Sequence, residues 1–417
     1  MKYKHRLLCL IMLGISISTI GQNVSSPYSI IGIGDIETTD NGRFGASGST
    51  GVSRREIGFY NFANPASLTV IPYKSVNYDI LIRGRNSKFK APETDTFTST
   101  SKDFVVKRIA LSFKVTPKIA FSFGLKPFSS VNYQYTGSSS ANDQNIDYTR
   151  YIDGSGGINQ VYFSIAREIS KGLSAGLTAS WLFGSLKRST AYSNEALGLD
   201  VVKKEYDFYA GAGLQGGIQY YPASAGNWQQ SVGLTATVYN SLKGERTTDY
   251  LENNTAVKSL EPEKIQFRMP VSVVGGYRIA NKNGLGFQVQ GSYHQWPKQQ
   301  LNLNNATISN AFGLSTGIEY SKRTMISGYA LEQYYLACGF RFEQSYIRLN
   351  NNSLNEYAFT LGGGKNVSPV ISINAGIEIG RRGQVSFKQI SENYFQYSIG
   401  ITLKDIWYGT RNFRKYD

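Results

Sequence analysis

Residues 370–380 read VISINAGIEIG. Successive side chains of a strand point to opposite faces, so Ile371, Ile373, Ala375, Ile377 and Ile379 share one side, and Ser372, Asn374, Gly376, Glu378 and Gly380 the other. One face is apolar and the other is wet. The same split recurs at 394–403, YFQYSIGITL, and in GLGFQVQGSY, SVGLTATVY, KIAFSFGLK and GLSAGLTASWLF. A soluble sandwich or jelly roll alternates as well, so segment length has to decide. Many of these stretches run about 9 to 13 residues, which is what a tilted strand needs to cross the hydrocarbon layer. Their polar faces carry Gly, Ser, Thr and Gln with scattered charges, among them Arg108, Lys114, Asp207, Glu319, Arg341 and Glu378, as suits a wet or plugged lumen. Trp181, Tyr220 with Tyr221, Tyr293 to Trp296, and Tyr334 with Tyr335 stand near segment ends, where an interfacial aromatic girdle is expected.

Working outward, fourteen such segments are read between residues 74 and 404. Connections alternate long (85–103, 137–157, 187–204) and short (Pro117, 169–171), the asymmetry of outer loops and periplasmic turns in bacterial barrels. Only 321–332 is long where a short turn is due. An even count puts both chain ends on the periplasmic side. The expected fold is all-β: a 14-stranded antiparallel transmembrane β-barrel over 74–404, with an N-terminal plug segment at 22–73 and a periplasmic tail at 405–417.

The first residues, MKYKHRLLCLIMLGISISTIGQ, pair basic Lys2, Lys4 and Arg6 with an apolar run, the pattern of a signal peptide over 1–21. Past it there is no run of about 20 apolar residues, so membrane residence has to come from a closed barrel. Losing the leader with Cys9 leaves Cys338 alone, without an intramolecular disulfide. Cys338 shares a face with Leu336, Phe340 and Phe342 and is expected to meet lipid.

The stretch at 42–68, GRFGASGSTGVSRREIGFYNFANPASL, has no strand period. Irregular backbone at membrane depth is tolerated inside a wet lumen, and there this segment is expected to lie. Pro127 falls within the third strand, where it cannot donate to a ladder, and should open a notch in the wall. Gly42-Arg43, Gly48 and Asn64-Pro65-Ala66-Ser67-Leu68, with the strand count and the Pro127 kink, resemble the FadL-type (FadL/TodX-like) barrels of Gram-negative outer membranes. A closer similarity, carried by SPYSIIGIGD at 26–35 and ENYFQYSIGITLKDIWY at 392–408, is to a divergent branch of that family. The resemblance implies fourteen strands and a plug at Gly42, Arg43, Gly48, Asn64, Pro65 and Ala66. It also implies a lateral exit for hydrophobic cargo at Pro127.

The chemistry-bearing residue types are sparse. IGIGD at 31–35 lacks the strand and helix of a phosphate loop, and His294, the only mature histidine, has no second ligand, so no metal, cofactor or enzyme activity is expected. The net charge of +15 falls to about +12 without the three basic leader residues, yet no nucleic-acid motif accompanies it. Arg83, Arg85, Lys88 and Lys90, Lys187-Arg188, Lys203-Lys204 and Arg381-Arg382 are expected near the outer rim, as contacts for lipopolysaccharide phosphates or as solvated charges. Outer-membrane lipids are thus expected partners. Two function classes follow: a porin-like passive channel for small hydrophobic compounds, gated by the plug with a side exit near Pro127, or a non-transporting accessory subunit of an outer-membrane secretion or assembly complex. The polar lumen and the basic tail at 411–415 favour the second, and the kink favours the first.

Overall fold

A computed structural model describes residues 26–406, apart from 38, 40–41, 58, 60, 92–97, 142–145, 195–197, 223–225, 302, 304 and 327–328. The expected signal peptide and the tail from Trp407 onward lie outside the described residues.

Fourteen antiparallel strands close into one barrel. They are β1 (Ser75–Lys90), β2 (Thr98–Lys114), β3 (Ile119–Ala141), β4 (Ile146–Ser170), β5 (Leu173–Asn194) and β6 (Leu199–Tyr220). Then come β7 in two runs (Trp228–Tyr239, Leu242–Glu252) and β8 in three (Thr255–Ser259, Glu263–Phe267, Val271–Asn281). β9 (Leu285–Gln295), β10 in two runs (Ala306–Ile308, Ala311–Ile326), β11 (Tyr329–Leu349), β12 (Asn352–Ser368), β13 (Ile371–Arg382) and β14 (Ser391–Ile406) complete it. β14 pairs with β1 from Ser391↔Lys90 to Ile406↔Ser75, which leaves the sheet without an outer edge. Closure is what lets a sheet lie in lipid, since every strand then has two neighbours to satisfy its backbone.

The period-2 pattern sorts side chains as expected. On β14, Phe395, Tyr397, Ile399, Ile401 and Leu403 face outward at 38–45% exposure, while Gln396 and Thr402 are buried inside. On β13, Ile373, Ile377 and Ile379 face outward and Ser372, Asn374 and Glu378 inward. Cys338 is on the outer face.

Two expectations about the rims change. The connections at 85–103, 137–157 and 187–204 are largely strand, because β1 to β6 continue their ladders past the apolar belt, as in Thr136↔Tyr151 and Ser189↔Lys204. At 321–326 and 329–332 the chain is also strand, with β10 and β11 paired from Ser321↔Tyr335 to Ile326↔Tyr329. Backbone pairing persists above a membrane as well as within it, so hydropathy alone marks the belt and not the strand ends. The aromatic pairs split for the same geometric reason: Tyr220, Tyr293 and Tyr334 are exposed, whereas Trp296 and Tyr335 are buried inside and Tyr221 turns inward to stack on Arg55.

Inside the barrel lie the described residues of 26–72, with short 3-10 turns at Pro27–Ile30, Gly45–Ser47 and Pro65–Val70. They reach strands right around the wall, from Asn132 on β3 to Ile218 on β6, Gln290 on β9 and Thr360 on β12.

Candidate functional site

Three arrangements define the lumen. Toward the end where β1 starts and β14 stops, the luminal segment is fastened by ion pairs. Arg43 forks onto Glu319 of β10 (2.7 Å) and Glu332 of β11 (2.6 Å), and its guanidinium stacks 3.3 Å from the Tyr335 ring centroid. Arg54 reaches Glu319 (2.6 Å) and Glu56 (3.2 Å), and Glu56 also meets Arg323 (3.0 Å) and Arg278 (3.4 Å) from the wall. Arg54 is wholly buried and Glu319 nearly so. Burial pushes the Glu56 carboxyl up, but Arg323, Arg278 and Arg54 outweigh it and hold it at about 2.

The segment sits this close to the wall because the wall offers glycine there. A Cβ on Gly217 would stand 2.3 Å from Asn64 Oδ1, one on Gly339 2.3 Å from the Gly48 nitrogen, and one on Gly233 2.0 Å from the Val52 carbonyl. Gly48 itself has φ +71°, a left-handed conformation open to glycine. Asn64 caps the turn Pro65–Val70 by accepting from the Ala66 N–H, and donates to the Val52 and Ile218 carbonyls. The residues expected as plug therefore divide by role: Arg43 is an ionic anchor, and Gly48, Asn64, Pro65 and Ala66 are docking points against glycines. Gly42 accepts the Gly45 N–H in a turn.

A cavity of about 260 Å³ is lined by Ser26, Asp35, Ile36, Glu37 and Phe62 of the segment and by the wall. One wall is aromatic, with Phe128, Tyr239, Trp296 and Tyr346, the last two stacked at 4.1 Å. The lining also carries paired charges: Arg341 with Glu356 (2.7 Å) and Glu378 (2.8 Å), and Arg382 with Asp35 (2.9 Å). His294 lies in this cavity wall, its Nδ1 2.7 Å from Ser272 Oγ.

The third arrangement is a seam. Among the described residues the β2–β3 ladder covers Ile109–Lys114 against 120–125 and ends at Ile109↔Leu125. Pro127 follows, and the β3–β4 register slips between Pro127 and Ser129. Outward-facing Phe104, Val106, Ile109, Phe123 and Leu125 flank the break, which puts it within the apolar belt. The β3 edge beyond Pro127 is taken by the luminal segment, through Ile36↔Ser129 and Asp35↔Ser130. A small cavity lined by Glu37, Phe62, Lys107, Lys126 and Pro127 lies at the break, and Glu37, Phe62 and Lys126 also line the larger one.

Sequence parity missed the charges that matter here. Arg83, Arg85, Arg188 and Arg382, expected at the rim for lipopolysaccharide, point inward: Arg83 to Glu37 and Asp103, Arg85 to Glu392, Arg188 to Asp207 and Arg382 to Asp35. Lys88, Lys187 and Arg381 stay on the outside. A basic doublet on a strand cannot face one way, and parity at 187–188 and 381–382 already carried that signal. Glu37 was not legible, because nothing local says that an irregular segment will place its carboxylate beside β1 and β2.

A family model, BamG, matches residues 3–414. The chain belongs to the BamG family. No curated protein matches the sequence. Among solved structures, this BamG-family chain is similar to a FadL homologue of Pseudomonas aeruginosa, with 12% identity over 90% of this chain and 100% of that one and a TM-score of 0.60. The toluene transporter TodX of Pseudomonas putida matches with 16% identity over 89% and 99% and a TM-score of 0.59, and the CymD monoaromatic hydrocarbon channel with 12% over 87% and 97% and a TM-score of 0.56. At such identities the likeness of the BamG-family chain to FadL-type barrels is one of fold.

Proposed function

We propose that this BamG-family barrel resides in the outer membrane and takes small hydrophobic compounds into the cavity lined by Asp35, Ile36 and Glu37 of the luminal segment, releasing them sideways between β2 and β3. The observation that carries this reading is the end of the β2–β3 ladder at Ile109↔Leu125, inside the apolar belt, with Glu37, Phe62 and Lys126 lining both the cavity and the break. Residues 26–72 then act as the plug. The ion pairs around Glu319 and Glu56 block straight passage along the axis, so a lateral route avoids the best-fastened part of the lumen. A lining of aromatic side chains together with paired charges suits a cargo that is mostly apolar with one or two polar groups.

Pro127→Ile supplies the N–H that Pro127 lacks and should let the β2–β3 ladder run on past Ile109↔Leu125. Uptake of a small aromatic hydrocarbon into cells carrying that sealed barrel should fall to the level of cells without it. Unchanged uptake through a correctly folded sealed barrel sinks the lateral route. A second reading, that of an accessory subunit of an outer-membrane complex, draws support from the same sealed axis. Purification in mild detergent as a stoichiometric complex would favour it.

A further inference from the structure

Glu37 of the luminal segment meets three consecutive strands at the seam. Its backbone N–H donates to the Phe128 carbonyl of β3 at 2.9 Å. Its carboxylate accepts from Arg83 of β1 at 3.0 Å and from Lys107 of β2. Arg83 is held in turn by Asp103 of β2 at 2.6 Å, so the group has a partner on the wall that keeps its guanidinium in place whether or not Glu37 is there. Lys107 is 5% and Arg83 6% exposed. Beyond Ile109↔Leu125 the β2–β3 ladder no longer joins the two strands among the described residues, and the luminal segment takes over on the β3 side with two residue pairs, Asp35↔Ser130 and Ile36↔Ser129.

The asymmetry of these contacts matters. The backbone pairs at 35–36 join the luminal segment to β3, and the Asp35 side chain reaches Arg382 of β13, so neither contact touches β2. Among the described residues, the side chain of Glu37 spans from there to Lys107 and Arg83 on the other bank. Charge-assisted hydrogen bonds in a water-poor site are strong and directional, and the partners left behind by their loss are buried cations that draw in water.

We propose that Glu37 is the latch of the seam: its ion pairs with Lys107 and Arg83 hold β2 and β3 together above Ile109, and releasing them opens the wall. This deepens the lateral route proposed above, on which it rests, by naming the residue that gates it.

The width of the seam can be read without any cargo. In full-length protein in lipid nanodiscs, on a Cys9→Ser, Cys338→Ser background, spin labels at Phe104 of β2 and Gln134 of β3 occupy exposed outer positions on the two banks. With Glu37 intact, pulsed electron–electron distance measurement should give one narrow distribution. Glu37→Gln should add a second population at longer distance at least as large as the first, and Lys107→Gln, which approaches the same contact from the wall, should do the same. Glu343→Gln, on a cavity residue paired with Arg341, should leave the distribution unchanged. Heat-modifiable migration in gels confirms that each variant is folded, and Glu37→Asp, which keeps the charge, supplies a conservative variant expected to stay mostly narrow. Distributions for both folded Glu37→Gln and Lys107→Gln that superimpose on the parent overturn the latch. A widened seam with unaltered hydrocarbon uptake keeps the latch and rejects the transport route, and a parent-like seam with active uptake does the reverse.

Discussion

Glu319 shows what a single buried carboxylate does in this lumen. It is 1% exposed and accepts from both Arg43 and Arg54, so it ties two points of the luminal segment to β10. Removing one member of a buried ion cluster leaves the others uncompensated, which costs about 3–5 kcal/mol. Glu319→Gln should therefore lower the temperature at which the barrel loses its heat-modifiable form, while Glu263→Gln, on a fully exposed rim position, should not. Glu56 adds a pH dependence. Its carboxyl lies at about 2 in the folded chain against 4.5 ordinarily, so its contribution is fully present above pH 4.5 and disappears as pH falls toward 2. The shift corresponds to roughly 3 kcal/mol. Unfolding of the parent should become easier across pH 4.5 to 2, and Glu56→Gln should flatten that slope. The equal and opposite charges of Arg43 and Glu319 were visible in the sequence, one in a glycine-rich stretch and one on a strand's wet face. Their meeting was not, because 276 residues separate them.

At the scale of elements, the barrel and its filling are fitted through glycine. Gly217 and Gly339 face inward under Asn64 and Gly48, and a methyl group at either would overlap backbone or amide atoms that cannot swing aside. Gly216, the next residue along β6, has no atom near its would-be Cβ within the limit of contact. Gly217→Ala and Gly339→Ala should lift the luminal segment and raise single-channel conductance in planar bilayers, with Gly216→Ala matching the parent. Equal conductance in all three would mean that the segment is not the axial stopper. The alternation of VISINAGIEIG assigned faces correctly for every described residue of β13 with a side chain, since a one-residue error would turn the apolar set into the lumen. Strand ends were less legible. Above the belt the selective pressure of lipid on the outer face ends, and β4 and β5 continue as paired but polar chain, with Asp153 opposite Ser189.

For the whole molecule, closure explains both the stability and the weak place. Thirteen of the fourteen neighbouring pairs run as long ladders, and β2–β3 is short, with six residue pairs. Pro127 was the sequence signal for the end of that ladder, since a residue without an N–H cannot carry it forward. By itself the sequence determined the architecture: period-2 alternation in segments of bilayer length, repeated fourteen times, has one solution in lipid, because open edges and unsatisfied backbone are not tolerated there. It also determined that 42–68 had to be irregular and sheltered, as its glycines, serines and Asn-Pro leave no ladder to form. Only the tertiary structure decided which charges meet. Arg43 with Glu319, Arg382 with Asp35 and Glu37 with Lys107 are set by the depth at which an irregular segment comes to rest inside a closed wall, and that depth is a property of the glycine bed and the barrel's width, which no local stretch encodes.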